Sequence, residues 1–232
     1  MKNKTWIVIL LVSIMNGVTV FAQKTDRSST RYDWKEQWFA QVQAGGSYMC
    51  AENIRFGPFF KGTGVSYAVS LGKFFTPVWG MRMKFFGGGN KGKYYSDKSS
   101  EAVYRFSHVG GTAEVMFDLL NCFRDEETAG QSRWDFNLIL GPGVVHTYNF
   151  DRKGEEYAYG LNASPRNHFM LYGGAEVQYR LDRHWGLSLE AGTEWMRDEY
   201  NGVVYGRGLD GHLGVLLGVR YVFGEKVRTG GD

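Results

Sequence analysis

The sequence predicts an all-β protein, an eight-stranded antiparallel up-and-down transmembrane β-barrel. First, apolar and polar residues alternate with period two in eight successive segments after residue 23, which is the pattern of strands with one apolar face. Second, short joins between segments alternate with longer polar joins, as they do in outer-membrane barrels. Third, aromatic residues make up 16% of the 232 residues and gather at segment ends, where such barrels carry aromatic girdles.

Composition excludes several other classes of protein. With 43% hydrophobic and 22% charged residues, the chain is too apolar for a disordered segment. A net charge of +3, from 27 basic and 24 acidic residues, gives no reason to expect a nucleic-acid partner. The mean hydropathy of −0.34 is too low for a helical membrane bundle, but it suits barrel strands because only one face of each is apolar.

The first residues have the pattern of an export signal. Lys2 and Lys4 precede an apolar run over residues 6–20, and Ala22 supplies a small residue for cleavage before Gln23. An N-terminal membrane anchor is the alternative, but polar residues interrupt the run, and an anchor needs about 20 apolar residues. We expect a signal peptide at 1–22, a polar periplasmic N-terminal segment at 23–35, the barrel at 36–223 and a periplasmic C-terminal tail at 224–232.

The first four segments have clear apolar faces. These faces run over Trp38–Ala44, Val65–Leu71, Trp79–Phe85 and Val109–Phe117. The alternate positions hold mainly Gln and Gly in the first segment, small residues in the second, Arg and Lys in the third and acidic residues in the fourth. Each apolar face has four apolar residues over 7–9 positions, which is close to the roughly 9–11 residues that a tilted strand needs to cross a bilayer.

The last four segments follow the same rule. Their apolar faces run over Phe136–Val144, Phe169–Tyr179, Trp185–Trp195 and Leu213–Phe223. The fifth segment is weaker because Pro142 shares its apolar face and has no backbone N–H, so we expect a strand end or a bulge there. Short joins at 74–78 and 182–184 alternate with longer polar joins such as 87–102 and 147–168.

A soluble lipocalin-like barrel is the alternative fold, because it also has eight alternating strands but turns its apolar faces inward. Two features favour the membrane barrel. The polar faces are rich in small residues and Gln, which suit a narrow lumen. In addition, Trp38, Trp134 and Trp185 stand at the short-join side, as expected of a girdle at a membrane interface.

The eighth segment ends with Gly218, Tyr221 and Phe223. This pattern resembles the C-terminal signal by which the barrel-assembly machinery recognises outer-membrane proteins. The stretches 72–80 and 137–144 look like strand-turn segments of the same kind of protein. Over about residues 37–223, the chain therefore resembles the small OmpA-like outer-membrane β-barrel family of Gram-negative bacteria.

The resemblance implies a location in the cell outer membrane after signal-peptide cleavage. It implies a monomer whose partners are outer-membrane lipid, lipopolysaccharide and the barrel-assembly machinery, with no nucleic acid. Function does not follow from the fold alone. We expect a structural or small-solute or ion pore role with long surface loops. A surface adhesin or secretion accessory is one alternative, and an outer-membrane lipid- or peptide-hydrolysing enzyme is another.

Histidines gather near the long-join end of the predicted barrel without a metal-ligand spacing. They are His108, His146, His168 and His212, and Asp210 lies on the same strand face as His212. We expect a solvated polar rim there, with a hydrolytic cluster as the alternative. No catalytic residue, metal site or cofactor is predicted.

The two cysteines are expected at opposite ends of the barrel. Cys50 closes the first segment at the long-join end, whereas Cys122 lies in a join at the short end. Strand geometry puts them more than about 20 Å apart, but a disulfide needs Cα atoms within about 7 Å. We therefore expect no intramolecular disulfide.

The inward faces predict a charged lumen. Eight strands leave an interior that side chains fill, and a buried charge there must be paired. Counting from the join at 182–184 sets Glu176 opposite Glu190, and these carboxylates would repel unless a cation bridged them. We expect a charge-paired plug, with a wider solvated pore as the alternative. The predicted network comprises Arg82, Lys84, Glu114, Asp118, Glu176, Arg180, Glu190, Glu194 and Arg220.

Overall fold

The computed structural model describes residues 38–50, 63–96, 100–124, 132–151, 165–182, 184–197, 200 and 209–223. All of them belong to one compact unit, Trp34–Lys226. The predicted signal peptide at 1–22, the N-terminal segment at 23–35 and the tail at 224–232 lie outside the described residues.

Eight antiparallel strands pair in chain order, and the last pairs with the first, so the sheet closes into a barrel. The predicted fold class is confirmed. Among the described residues, no helix is long and apolar enough to cross a membrane. The strands are β1 (Trp38–Cys50), β2 (Thr63–Phe74), β3 (Trp79–Ser96), β4 (Ser100–Asp118), β5 (Trp134–Asp151), β6 (Arg166–Arg180), β7 (Trp185–Arg197) and β8 (Leu209–Phe223), and a short helix, α1 (Leu119–Cys122), follows β4.

The apolar faces of the strands point outward. Along β2, residues alternate between buried and exposed, and the exposed ones are the apolar residues Val65, Tyr67, Val69 and Leu71. Val65 is 70% exposed, and Leu217 on β8 is 67% exposed. This orientation is the reverse of a lipocalin-like barrel, so that alternative fold is wrong.

The two ends of the barrel differ. We call the end that carries α1 and the tight turns after β2 and β6 the turn end, and the opposite end the loop end. At the turn end, Asp118 caps α1 by accepting from the backbone N–H of Asn121 at 3.0 Å. Three aromatic pairs line the outer wall there, with ring centroids 4.6–4.8 Å apart: Trp79–Phe117, Trp134–Tyr179 and Trp185–Tyr221.

Strands at the loop end are longer than the sequence suggested. The stretch 87–102 was expected to be a loop, but β3 and β4 stay paired from Trp79↔Phe117 to Ser96↔Ser100. A hairpin partner satisfies backbone hydrogen bonds even where Gly and polar residues break the apolar pattern. The register shifts between Arg105 and Ser107, and opposite this bulge Asn149 has a φ of 58°, a conformation that Asn tolerates.

Candidate functional site

Six charged side chains fill the middle of the lumen, each no more than 3% exposed. They converge from β3, β4, β6, β7 and β8 because each occupies an inward position of its strand. We call this group the central network. It consists of Arg82, Lys84, Arg220, Glu114, Glu176 and Glu190.

Arg82 joins three carboxylates. Its Nε donates to Glu114 at 2.5 Å, its Nη2 to Glu190 at 2.9 Å and its Nη1 to Glu176 at 3.4 Å. The strand register sets Glu176 directly opposite Glu190, so their negative charges would repel. The planar guanidinium carries five N–H donors in a rigid fork and can bond several carboxylates at once.

Glu190 has the richest set of partners. In addition to Arg82, it accepts from Lys84 Nζ at 2.8 Å, from the Tyr172 hydroxyl at 2.5 Å and from Gln43 Nε2 at 2.9 Å. The Lys84 ammonium also lies 4.1 Å from the centroid of the Tyr172 ring. Each of these contacts offsets part of the cost of burying the carboxylate.

Arg220 closes the turn-end side of the central network. Its guanidinium donates to Gln41 Oε1 at 2.8 and 3.0 Å, and also to Gln178 and Glu176. Its central carbon lies 4.2 Å from the centroid of the Phe39 ring. Together, the three cations and three carboxylates of the central network balance in charge.

Three members of the predicted network lie elsewhere. Asp118 caps α1 at the turn end, because the chain turns there and leaves backbone N–H groups to be satisfied. Arg180 pairs with Asp135 at 2.9 Å, also at the turn end and partly exposed. Glu194 pairs with His212 at 3.0 Å on the loop-end side. The expectation of one network of nine charges was therefore too broad. Asp118, Arg180 and Glu194 lie farther along their strands than the six central charges, and each has a partner closer to it.

A second buried polar group lies on the loop-end side of the central network. We call it the histidine layer, and it consists of Asn90, His108, Glu194, Tyr200 and His212. Asn90 Nδ2 faces His108 Nδ1 at 3.3 Å and donates to the Tyr200 hydroxyl at 3.1 Å. Asn90 Oδ1 lies 3.1 Å from His212 Nε2. The rings of His108 and His212 are 5.3 Å apart.

The prediction of a rim of solvated histidines is wrong for three of the four histidines. His108, His168 and His212 are buried in the lumen, because they occupy inward positions of β4, β6 and β8. Only His146 is at an outward position, where its Nδ1 contacts Asn167 at 2.7 Å. His212 forms a pair with Glu194 on the neighbouring strand, and Asp210, on the same face of β8 as His212, is also buried.

The Glu194–His212 pair has the carboxylate–imidazole half of a hydrolytic triad. The other ring nitrogen of His212 contacts the amide oxygen of Asn90, at the position where a hydrolase holds its nucleophile. Ser47 Oγ also donates to that oxygen, at 3.1 Å.

Within the described part of the chain, no group of three or more His, Cys, Asp or Glu residues is suited to a metal ion.

A small cavity is lined by residues of both the histidine layer and the central network. Its volume is about 30 Å³, and Lys84, Glu190, His108 and His212 are among the residues that line it. That is room for about two water molecules. Ser66 Oγ also lines the cavity and has no hydrogen-bond partner among the described residues.

The residues proposed as an assembly signal lie on both faces of β8. Gly218 points inward, where a Cβ atom would lie 2.5 Å from Gln43 Cγ. Tyr221 and Phe223 are at outward positions near the turn end, with their rings 5.2 Å apart.

The two cysteines lie at opposite ends of the barrel. Cys122 is free and exposed on α1 at the turn end, whereas Cys50 ends β1 at the loop end and its side chain lies outside the described part.

Sequence reasoning missed several uncharged residues of these sites. Gln41, Gln43 and Tyr172 lie on the polar faces of their segments, so the alternation does carry a signal for them. The signal for Asn90 was hidden because its stretch was expected to be a loop. Tyr200 lies outside the strands, and no alternation marks it.

No protein-family model and no curated protein matches the sequence. Among solved structures, the fold is similar to that of neisserial surface protein A, with a TM-score of 0.52 and 15% identity over 80% of this chain and 97% of that one. It is also similar to the outer membrane protein OprG from Pseudomonas aeruginosa, with a TM-score of 0.50 and 10% identity over 82% of this chain and 97% of that one. At such identities the likeness concerns the fold, and the chain has the eight-stranded antiparallel barrel fold of the small OmpA-like outer-membrane proteins.

Proposed function

We propose that the protein is an outer-membrane β-barrel whose lumen is closed by charge pairs. Its role is structural or limited to small ions, and it is not a route for nutrients. The observation that carries this proposal is the orientation of the strand faces. Apolar side chains cover the outside of the barrel, and six paired charges fill the inside.

The outer wall supports the membrane location. Large exposed apolar side chains occur on every strand, and a continuous apolar surface of this kind needs an apolar environment. The Trp, Tyr and Phe pairs at the turn end stand where aromatic rings contact the membrane–water interface. We infer that lipid covers this wall, with lipopolysaccharide at the loop end.

The route to the membrane belongs to the same proposal. Residues 1–22 would direct export and be removed. Gly218, Tyr221 and Phe223 would then serve as the assembly signal, supported by the outward, 45% exposed position of Phe223 at the end of β8. The protein would act as a monomer, because a closed sheet leaves no unpaired edge strand to recruit a partner.

Membrane orientation can be tested with Cys122, which is exposed at the turn end. In a Cys50→Ser variant, a membrane-impermeant maleimide should not react in intact cells and should react once the outer membrane is permeabilised. As a matched control, Asn167→Cys, in a chain without the native cysteines, should react in intact cells, because Asn167 is exposed at the loop end. Labelling of Cys122 in intact cells would contradict the proposed orientation.

The closed lumen can be tested by conductance of the refolded full chain in planar bilayers. We expect no large channels, because the central network fills the narrow interior. Arg82→Ala should raise ion conductance by removing the bridge between the carboxylates. A large conductance of the unmodified protein that is unchanged in Arg82→Ala would contradict the plug.

A further inference from the structure

The histidine layer is a hydrogen-bond chain that runs through the Asn90 amide, which offers one donor group and one acceptor oxygen. In the orientation described, Asn90 Nδ2 faces His108 Nδ1 at 3.3 Å, and this nitrogen acts as an acceptor. Asn90 Oδ1 accepts from Ser47 Oγ and from His212 Nε2, each at 3.1 Å. The Ser47 and Tyr200 hydroxyls can each donate or accept, so the layer is also satisfied with the Asn90 amide turned over. In either orientation, only one of the two ring nitrogens that face the amide, His108 Nδ1 or His212 Nε2, can carry a proton.

On the other side of the amide, His212 stands between Asn90 and Glu194. Its Nε2 donates to Asn90 Oδ1, and its Nδ1 lies 3.0 Å from Glu194 Oε2. A carboxylate accepts and does not donate, so His212 Nδ1 is the donor of this contact in either orientation of the Asn90 amide. The layer therefore has hydrogen-bond partners for at most one imidazolium, on either His108 or His212.

A second proton does not fit this arrangement. An imidazolium has no acceptor nitrogen, so protonation of His108 would set its Nδ1–H against the Asn90 amide N–H. Turning the Asn90 amide over would set the same N–H group against His212 Nε2–H. The layer can therefore keep its hydrogen bonds only while at least one of the two histidines is neutral.

The charges around His108 come from four strands. Lys84 on β3 and Glu190 on β7 line the same cavity as His108, but these two pair with each other at 2.8 Å. Glu194 on β7 is paired with His212 on β8, whose ring lies 5.3 Å from that of His108. Two further titratable groups lie near the layer: His168 on β6, whose ring lies 5.8 Å from that of Tyr200, and Asp210 on β8.

We propose that the histidine layer is a proton-operated closure of the loop end of the lumen: in mildly acidic medium the His108–His212 pair takes up the proton that makes both rings imidazolium, the Asn90 chain breaks, and the layer opens. The proposal rests on the closed lumen proposed above and names how that closure is regulated. Tyr200 then loses the hydrogen bond that Asn90 donates to its hydroxyl. The cavity beside His108, which the Ser66 hydroxyl also lines, provides space for water.

Hydrogen exchange of the full chain refolded in detergent tests this proposal. Protection factors of the paired loop-end amides, Gly88 with His108 and Glu194 with His212, should fall about tenfold or more between about pH 8 and pH 5, the equivalent of one lost buried hydrogen bond. Amides of 174–177, beside the central network, should stay protected. Unchanged protection in the layer, or an equal loss at 174–177, would overturn the proposal.

Two variants separate a proton-operated layer from a merely structural one. His108→Gln keeps an acceptor for Asn90 and cannot be protonated near neutral pH, so its loop-end protection should not change between pH 8 and pH 5. Asn90→Asp places a carboxylate between the two histidines and accepts from both when they are charged, so its protection should rise toward pH 5. The control His146→Gln changes an outward-facing histidine and should retain the wild-type fall.

The result for each variant is decisive, and circular dichroism verifies that each barrel has folded. If either His108→Gln or Asn90→Asp follows the wild-type pH profile, the proposal is wrong. Exchange is measured without any bilayer current, so a failure of the conductance experiment leaves this test intact. Conversely, protection factors that do not change with pH would disprove the proton-operated closure and would not contradict the proposed membrane barrel.

Discussion

Arg82 on β3 and Glu190 on β7 are joined by a 2.9 Å ion pair that crosses the lumen. Their strands are four apart in a closed sheet of eight, so the two residues stand on opposite walls. The same guanidinium also bonds Glu114 on the neighbouring strand. One side chain thus ties three walls of the barrel together through charge-assisted hydrogen bonds, which are stronger than neutral ones.

Arg82→Ala should lower the free energy of unfolding by about 3–5 kcal/mol, because it leaves Glu114, Glu176 and Glu190 buried without their shared cation. The measurement is denaturant unfolding of the refolded barrel in lipid vesicles. As a control, Lys73→Ala removes a cation that lies 5.5 Å from the Trp38 ring at the surface, and should cost about 1 kcal/mol or less. An equal loss of unfolding free energy in the two variants would contradict the stabilising role of the Arg82 bridge between the carboxylates.

Much of this arrangement follows from strand parity alone. A period of two places Arg82 and Lys84 on the same face of β3, and the short join at 182–184 determines that Glu176 meets Glu190. The pairing across the lumen does not follow, because it depends on how the strands tilt when the sheet closes. Glu194 illustrates the difference: its inward direction was predictable, but its partner His212 comes from the register of β7 with β8.

The loop end was the least predictable part of the fold. Asn90 lies in a Gly- and Lys-rich stretch with no apolar alternation, and only the pairing with β4 shows that it is a strand residue. Tyr200 carries no periodic signal at all. Long-range partners of this kind are fixed by the closed sheet and not by any local pattern.

Gly218→Ala should lower the stability of the purified barrel by about 1–3 kcal/mol, as overpacking does in a filled interior. The added methyl group would lie 2.5 Å from Gln43 Cγ and 2.6 Å from the carbonyl oxygen of Val42. Gly214 is a matched control on the same face of β8, since a methyl group added there would meet no other atom within 4 Å among the described residues. Gly214→Ala should therefore be close to neutral in the same unfolding experiment.

The stability of the purified Gly218→Ala variant also separates an effect on packing from an effect on assembly in the cell. If Gly218 acts only through the barrel-assembly machinery, Gly218→Ala would refold in detergent with unchanged stability and fail only in cells. Loss of stability in the purified protein would instead identify the close contact with Gln43 as the reason that β8 carries a glycine there.

The turn after β6 should contribute a small pH dependence of stability. Asp182 accepts the backbone N–H of Trp185 at 2.8 Å and that of His184 at 2.7 Å, and these bonds hold its pKa below the usual 3.8. A carboxyl whose pKa is lower in the folded state stabilises the fold above its unfolded pKa and loses that contribution as the pH falls through the folded value. Asp182→Asn keeps an acceptor oxygen but does not titrate, so the barrel should lose less stability in this variant than in the wild type between about pH 6 and pH 3. Equal losses measured by urea unfolding would exclude the contribution of this turn.

Arg220→Lys should lower the free energy of unfolding by about 2 kcal/mol although it conserves the charge. The guanidinium of Arg220 lies against the Phe39 ring while it donates to Gln41, Gln178 and Glu176. A lysine ammonium has three donors on one atom and no planar face to stack, so it cannot make all of these contacts at once. The matched control is Arg180→Lys in the partly exposed pair with Asp135, where exposed ion pairs contribute about 1 kcal/mol or less. If the two substitutions had equal effects on the unfolding midpoint at an unchanged slope, the shape of the Arg220 guanidinium would not matter, and its charge alone would account for its place in the central network.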